Sequence, residues 1–218
     1  MTEQEFNTLS NNLRQLALTI PLNWGHIQNN RTDDKINMFQ ILSYEELEKS
    51  IARLNDDQKN YLRRRWFLWK CSACDEYLFY CNDNVEKNPD PRDKEYDVII
   101  NDRWKFDIKG TVIPKNMRDN ADVVITNPER MIQFFYDEQS KGRRYDMQNR
   151  LFIVHHSFVQ PERELYLRCT WDSKKNIYKQ YIENIDNISL MDYKGVKASV
   201  IFILEREKGK VEYRIFGL

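Results

Sequence analysis

The stretch Tyr96–Thr111, Y-D-V-I-I-N-D-R-W-K-F-D-I-K-G-T, predicts two short β-strands joined by a tight turn. Both apolar runs are rich in Val, Ile, Phe and Trp, and residues 101–103 between them are typical of a hairpin turn. A turn centred on Asp102 places Asp97 opposite Asp107 on the paired strands. Directly opposed side chains have Cβ atoms about 4.5–5.5 Å apart, where two negative charges repel each other. The arrangement therefore favours a bound divalent cation over a purely structural hairpin.

Lys109 lies two residues beyond Asp107 on the second predicted strand. Successive side chains of a strand point to opposite faces, so Asp107 and Lys109 share one face while Phe106 and Ile108 share the other. A lysine beside a metal-binding carboxylate suits the activation of a water molecule. The pattern therefore predicts a hydrolytic metal site on this face.

These residues resemble the motif of the PD-(D/E)XK nuclease superfamily, which has the restriction-endonuclease-like fold. In this resemblance, Asp97 corresponds to the first Asp of the motif, Asp107 to its Asp or Glu, and Lys109 to its Lys. Residues 110–111 match a Gly-Thr pair that often follows the motif. The resemblance covers the hairpin and, loosely, the elements of residues 61–156, but neither the first fifty nor the last sixty residues.

The resemblance implies Mg²⁺-dependent hydrolysis of phosphodiester bonds in double-stranded DNA, with Mn²⁺ able to replace Mg²⁺. Asp97 and Asp107 are expected to bind the ion, together with the backbone carbonyl of Ile108. Lys109 is expected to orient the attacking water and to offset charge in the transition state. A one-metal and a two-metal mechanism both remain open.

A further ligand is expected from the helix that precedes the hairpin. Residues 66–80 are apolar nearly all round, which indicates a helix buried on most sides. A carboxylate in such a helix is costly to ionise unless it is paired, hydrogen-bonded or bound to a cation. Asp75 and Glu76 are therefore both candidates, and Glu76 is preferred as a catalytic and metal-binding residue because of its longer reach.

Basic and histidine side chains offer further candidates. Lys115 and Arg118, just beyond the motif strand, are predicted to contact nucleic-acid phosphates, which would position the substrate without reading its sequence. The basic clusters at residues 63–65 and 141–144 are explained equally well by solvated helix faces. The pair His155-His156 has no acidic cluster beside it in the sequence, which favours a structural role over metal binding or proton transfer.

Composition limits the classes of function. The chain has 34 Lys and Arg against 34 Asp and Glu, and this zero net charge argues against a purely electrostatic nucleic-acid binder. No segment approaches the roughly 20 apolar residues of a membrane span, and the acidic N-terminus is unlike a signal peptide, so a cytoplasmic protein is expected. The spacing of Cys71 and Cys74 permits a metal or iron–sulfur site, but a buried helix favours cysteines that act as small hydrophobic residues.

The chain is expected to form one α/β domain, residues 1–218, with a mixed sheet and an α-β-β-β-α-β core. A helical N-terminal extension (1–55) precedes the nuclease-like core (56–156), and residues 157–218 complete the sheet and end in a β-hairpin. Helices are predicted at 6–20, 43–54, 56–81, 128–142 and 174–185. Strands are predicted in the motif hairpin and at 123–126, 151–155, 164–170, 198–204 and 211–216, with a loop at 82–92.

Three functions are compatible with this pattern. A type II restriction-like endonuclease is preferred by fold-level analogy, and a homodimer is expected because a two-fold dimer cuts both strands symmetrically. A repair or mobile-element nuclease that recognises DNA structure is the second. The third is a module that binds nucleic acid or protein without cutting, and the intact set of Asp97, Asp107 and Lys109 argues against it.

Overall fold

A computed structural model describes residues 1–20, 32, 36–90, 93, 95–138 and 149–218. The described chain divides into two compact units, Met1–Cys74 and Asp75–Leu218. The boundary between them falls within one long helix.

The first unit is helical in its described residues. The side chain of Ser43 caps the second helix, and the side chain of Asn55 accepts a hydrogen bond at the start of the third, as the sequence predicts. The indole N–H of Trp66 donates to the carbonyl oxygen of Ile41 at 3.1 Å. The helices are α1 (Glu3–Leu16), α2 (Tyr44–Ile51) and α3 (Asp56–Tyr80), with a 3₁₀ turn at Met38–Gln40. The predicted stop of α1, Pro21, lies outside the described residues.

The second unit is a mixed α/β structure, which confirms the predicted class. Its strands are β1 (Val85–Lys87), β2 (Val98–Ile100), β3 (Trp104–Val112), β4 (Arg150–Ser157), β5 (Met191–Tyr193), β6 (Val196–Glu207) and β7 (Lys210–Ile215). Its further helices are α4 (Ala121–Thr126), α5 (Glu129–Asp137), α6 (Arg163–Leu167) and α7 (Trp171–Asn184), with 3₁₀ turns at Lys115–Asn120 and Ile185–Asn187.

The described strands form one mixed sheet in the order β1-β2-β3-β4-β6-β5, and β7 also pairs with β6. The first three strands form an antiparallel meander, whereas β3, β4 and β6 run parallel to their neighbours. Parallel neighbours need crossover connections. Helices α4 and α5 accordingly lie between β3 and β4 in the chain, and α6 and α7 lie between β4 and β6.

The β2–β3 hairpin forms where the sequence predicts it. Ile100 pairs with Trp104, so residues 101–103 make the turn. Asn101 and Asp102 have φ angles of 52° and 54°. Asn and Asp adopt this left-handed region more readily than other residues with a side chain. The turn chemistry of the sequence thus explains the hairpin.

Several short segments differ from the predicted secondary structure, among them β5, where no strand was predicted. Residues 85–87, predicted as loop, form β1 and pair with β2. Residues 123–126 and 164–170, predicted as strands, belong largely to the helices α4 and α6. Strand propensity is strongly context-dependent, and tertiary packing overrides it in segments this short. The predicted helix end at Gly142 lies outside the described residues, and α5 ends at Asp137.

Helices pack on both faces of the sheet. On one face, the ring of Phe135 in α5 lies 5.0 Å from the ring of Phe152 in β4. On the other face, the ring of Tyr181 in α7 lies 6.4 Å from that of Phe106 in β3. Because side chains alternate along β3, Asp107 and Lys109 share the α5 face, and Phe106, on the opposite face, lies toward α7.

None of the helices in the described ranges is long and apolar enough to cross a membrane. The four cysteines are thiols, and three of them are buried: Cys71, Cys74 and Cys169.

Candidate active site

The hairpin brings the two motif carboxylates together. Val98 pairs with Phe106, and this register continued by one residue places Asp97 opposite Asp107, as predicted. The backbone N–H of Asp97 donates to the carbonyl oxygen of Phe106 at 2.8 Å. The N–H of Ile108 donates to Oδ2 of Asp97 at 2.7 Å. The Asp97 side chain is therefore held against the middle of the motif strand, while the predicted role of the Ile108 carbonyl stays a prediction.

Asp107 is buried and lies between two cations. Nζ of Lys109 is 2.5 Å from Oδ1 of Asp107, on the strand face that the alternation predicts. Nε of Arg150 is 3.3 Å from Oδ2 of the same carboxylate. Arg150 begins β4 at the position paired with Asp107, and its guanidinium lies 4.9 Å from the ring centre of Tyr136. Sequence reasoning did not find Arg150, because only the parallel register of β3 and β4 places it here.

The negative charge of Asp97 acts on Glu76, and that of Asp107 acts on Asp97. Burial and, after it, the negative charge of Asp97 raise the pKa of Glu76 to about 7 against the opposing charges of Lys87 and Lys109. Burial also raises the pKa of Asp97; the charge of Lys109 opposes this, and that of Asp107 adds to it. Glu76 therefore lies near enough to Asp97 and Lys109 to sense their charges, and its role in the site stays a prediction. Desolvated carboxylates that raise each other's pKa gain from a nearby cation.

The residues present fit a hydrated Mg²⁺ ion. Across the described ranges, no group of three or more His, Cys, Asp or Glu side chains is arranged as a ready-made metal cluster. Mg²⁺ does not need one, since it keeps several waters and is usually held by one or two carboxylates together with substrate phosphates. Asp97 and Asp107 supply such a pair of hard oxygen ligands, and Glu76 lies near enough to sense their charge.

Asp75, the alternative to Glu76, makes structural contacts instead. It is 1% exposed, and its Oδ1 accepts hydrogen bonds from Nζ of Lys174 and the hydroxyl of Tyr178, each at 2.8 Å. The ring of Phe79, one turn further along α3, stacks on Tyr178 at 4.3 Å. These contacts attach the end of α3 to α7 and so fix the direction of Glu76.

In the described part of the chain, the contacts of the other predicted site residues are with groups other than the motif carboxylates. Lys115 is exposed in the 3₁₀ turn after β3 and stays a predicted phosphate contact. Arg118 forms an ion pair with the buried Glu164, with 2.7 Å between Nη2 and Oε2. Nδ1 of His156 lies 3.3 Å from Oε1 of the same glutamate, a single acidic neighbour that comes from a later part of the chain. The basic residues 141–144 lie outside the described residues.

His155 is fully buried behind the motif strand. Its Nδ1 lies 3.1 Å from the carbonyl oxygen of Thr111. Burial, followed by the positive charges of Lys174 and Arg168, holds the pKa of His155 well below its usual value. The imidazole is therefore neutral, which fits a structural role.

Comparison with known proteins found no matching family model, curated protein or solved structure.

Proposed function

We propose that this protein is a Mg²⁺-dependent endonuclease that hydrolyses phosphodiester bonds in double-stranded DNA. The observation that carries the proposal is the group of carboxylates in which Asp97 repels Glu76 and Asp107 repels Asp97, with Lys109 on the strand face of Asp107. Lys109 and Arg150 already offset the charge of Asp107, but the pKa values of Glu76 and Asp97 stay raised against the charge of Lys109, so a further cation would offset the remaining cost. Binding of a divalent ion is the function that this arrangement supports best.

The order of elements gives a second line of support. Helix α3, the meander β1–β2–β3, the helices α4 and α5, and the strand β4 parallel to β3 follow the α-β-β-β-α-β order expected of a restriction-endonuclease-like core. Strand β1, which the sequence did not predict, supplies the third strand of the meander. The expected core and the proposed chemistry are therefore compatible.

Each residue has a proposed role. Asp97 and Asp107 hold the ion, with Glu76 beside them and the carbonyl of Ile108 as the further ligand that the motif implies. Bound Mg²⁺ would polarise the scissile phosphate and lower the pKa of a water. Lys109, held at Asp107, orients the attacking water and offsets the negative charge that grows on the phosphate.

The test compares the wild-type protein with Lys109→Ala and Asp97→Asn on plasmid and phage DNA, in Mg²⁺, Mn²⁺ or EDTA. We expect cleavage that requires the metal and falls by at least about 100-fold in both variants. Lys105→Ala is the matched control, because Lys105 lies on the same strand but is exposed, with its Nζ 4.7 Å from the ring centre of Tyr96. Its activity should stay near that of the wild type.

The products distinguish the alternatives. Discrete fragments from a palindromic site would favour a restriction-like homodimer, and smeared products would favour a repair or mobile-element nuclease. DNA binding without any cleavage would favour the non-cleaving module and contradict the proposal. Undiminished cleavage by Asp97→Asn would show that the ligand assignment is wrong.

A further inference from the structure

Arg168 is a nearly buried arginine that forms no direct ion pair with the described residues. It follows α6 directly and is 8% exposed. Within the described part of the chain its side chain takes part in no ion pair and no hydrogen bond. An arginine is always charged in a protein, so burying one without a partner is costly. This cost is offset if a ligand supplies the missing negative charge.

The Arg168 guanidinium fills the space that Gly110 leaves by having no side chain. Its Nη1 lies 2.7 Å from the position that a Cβ atom would occupy at Gly110, closer than real Cβ contacts come. Oδ2 of Asp75 is 3.9 Å from the same position. A side chain at position 110 would displace Arg168, which explains why a glycine follows Lys109 in this chain.

The charges in this region do not balance. Asp75 supplies one negative charge, and its Oδ1 is already bonded to Lys174. Lys174 and Arg168 both act on His155, which is neutral. The three charged side chains together thus carry a surplus positive charge in a mostly buried place, which favours an anion that can accept charge-assisted hydrogen bonds.

The Arg168 guanidinium is not sealed from solvent. Some buried polar atoms in the described ranges are closed off from solvent and have no hydrogen-bond partner. No nitrogen of Arg168 is among them. Since its nitrogens make no hydrogen bond there, they keep contact with solvent. The region also adjoins the candidate active site on two elements, because Gly110 follows Lys109 on β3 and Asp75 precedes Glu76 on α3.

We propose that Arg168 binds a phosphate of the nucleic-acid strand that flanks the scissile phosphate. The inference deepens the proposed function and rests on it for the identity of the ligand. Gly110 and Lys109 point to opposite faces of β3, so Arg168 contacts a neighbouring phosphate while Lys109 acts at the reacting one. Arginine suits this task, since its planar fork binds two phosphate oxygens at once.

The test compares the wild-type protein with Arg168→Gln in two binding experiments without metal. In the first, inorganic phosphate is titrated at constant ionic strength while the unfolding temperature is followed. In the second, DNA affinity is measured in EDTA at several salt concentrations. We expect phosphate to raise the unfolding temperature of the wild type only, and DNA affinity of the variant to fall about tenfold. The slope of log K against log salt should decrease by about 1.

Two further variants complete the test: Gly110→Ala disturbs Arg168 indirectly, and Arg206→Gln is the control. Gly110→Ala places a methyl group against Nη1 of Arg168, which is the far end of a flexible side chain, so we expect near-normal stability with weakened phosphate binding. Arg206→Gln removes an arginine on β6 that is 41% exposed and paired with Asp122. It has the same charge change and should keep the phosphate response of the wild type.

The outcomes separate this inference from the proposed function. An unchanged phosphate response and salt slope in Arg168→Gln would overturn the role of Arg168, even if the wild type cuts DNA. Phosphate binding through Arg168 without DNA binding would overturn the assignment to nucleic acid. A reduced salt slope in a protein that never cuts DNA would support the role of Arg168 and refute the nuclease.

Discussion

At the scale of single residues, Glu76 links the candidate site to the stability of the fold. Its pKa is raised to about 7 in the folded protein, from 4.5 in the absence of burial and neighbours. Between these values the folded protein keeps a proton that the unfolded chain has released. The free energy of unfolding therefore falls as pH rises through this window, and the loss is complete above about pH 7.

Replacing Glu76 by Gln should stabilise the metal-free protein at pH 8 by about 2–3 kcal/mol, because it removes the cost of a desolvated carboxylate. At pH 4.5 the gain should vanish. Urea unfolding in EDTA at both pH values measures the difference. Glu86→Gln is the control, because Glu86 is an exposed residue of β1. It should change the free energy of unfolding by the same amount at both pH values. An equal effect of Glu76→Gln at the two pH values would contradict the raised pKa.

Local spacing predicted the motif residues but not their partners. Asp97, Asp107 and Lys109 are joined by one hairpin, so a turn and strand alternation suffice to bring them together. Arg150 and Arg168 come from distant parts of the chain, and only the strand register and the packing of α6 place them beside the motif strand. In the sequence, Arg150 is marked only as a polar residue at the start of a parallel strand.

At the scale of elements, the turn of the β2–β3 hairpin sets the position of Asp97 against Asp107. Asp102→Val should destabilise the protein by about 1–2 kcal/mol, because a β-branched residue is strained at a φ of 54°. It should also lower metal-dependent cleavage by loosening the register. Chemical denaturation and the plasmid assay measure both effects. Asp102→Gly should keep the turn, and equal stability of the Val and Gly variants would contradict this account.

Elements with a strong local pattern were predicted, and short ones were not. The capped α3, the helix α7 and the β6–β7 hairpin each carry a helical period, a cap or a turn signal in their own residues. Strand β1 has only three residues and exists because β2 pairs with it. The apolar run at residues 123–126 has strand propensity, yet it lies in α4, where Val124 and Ile125 are buried.

At the scale of the whole second unit, the buried pair of Asp75 and Lys174 joins α3 to α7. Lys174→Met should cost about 3–5 kcal/mol, because it leaves the Asp75 carboxylate buried without its cation. The double variant with Asp75→Asn should recover much of this loss. Urea unfolding compares them, with Lys179→Met as the control, since Lys179 is 68% exposed on the same helix. Additive losses in the double variant would contradict the pairing.

The pairing of β6 has a consequence for how the chain folds. Its run S-V-I-F-I-L, residues 199–204, is almost wholly buried and has the composition of a segment that aggregates when exposed. One edge of β6 is covered by the neighbouring strands β5 and β7, which close as local hairpins, and the other by the distant β4. Local closure is fast and long-range pairing is slow. The hairpins therefore shield one edge of this segment early, and aggregation during refolding depends on how quickly β4 covers the other.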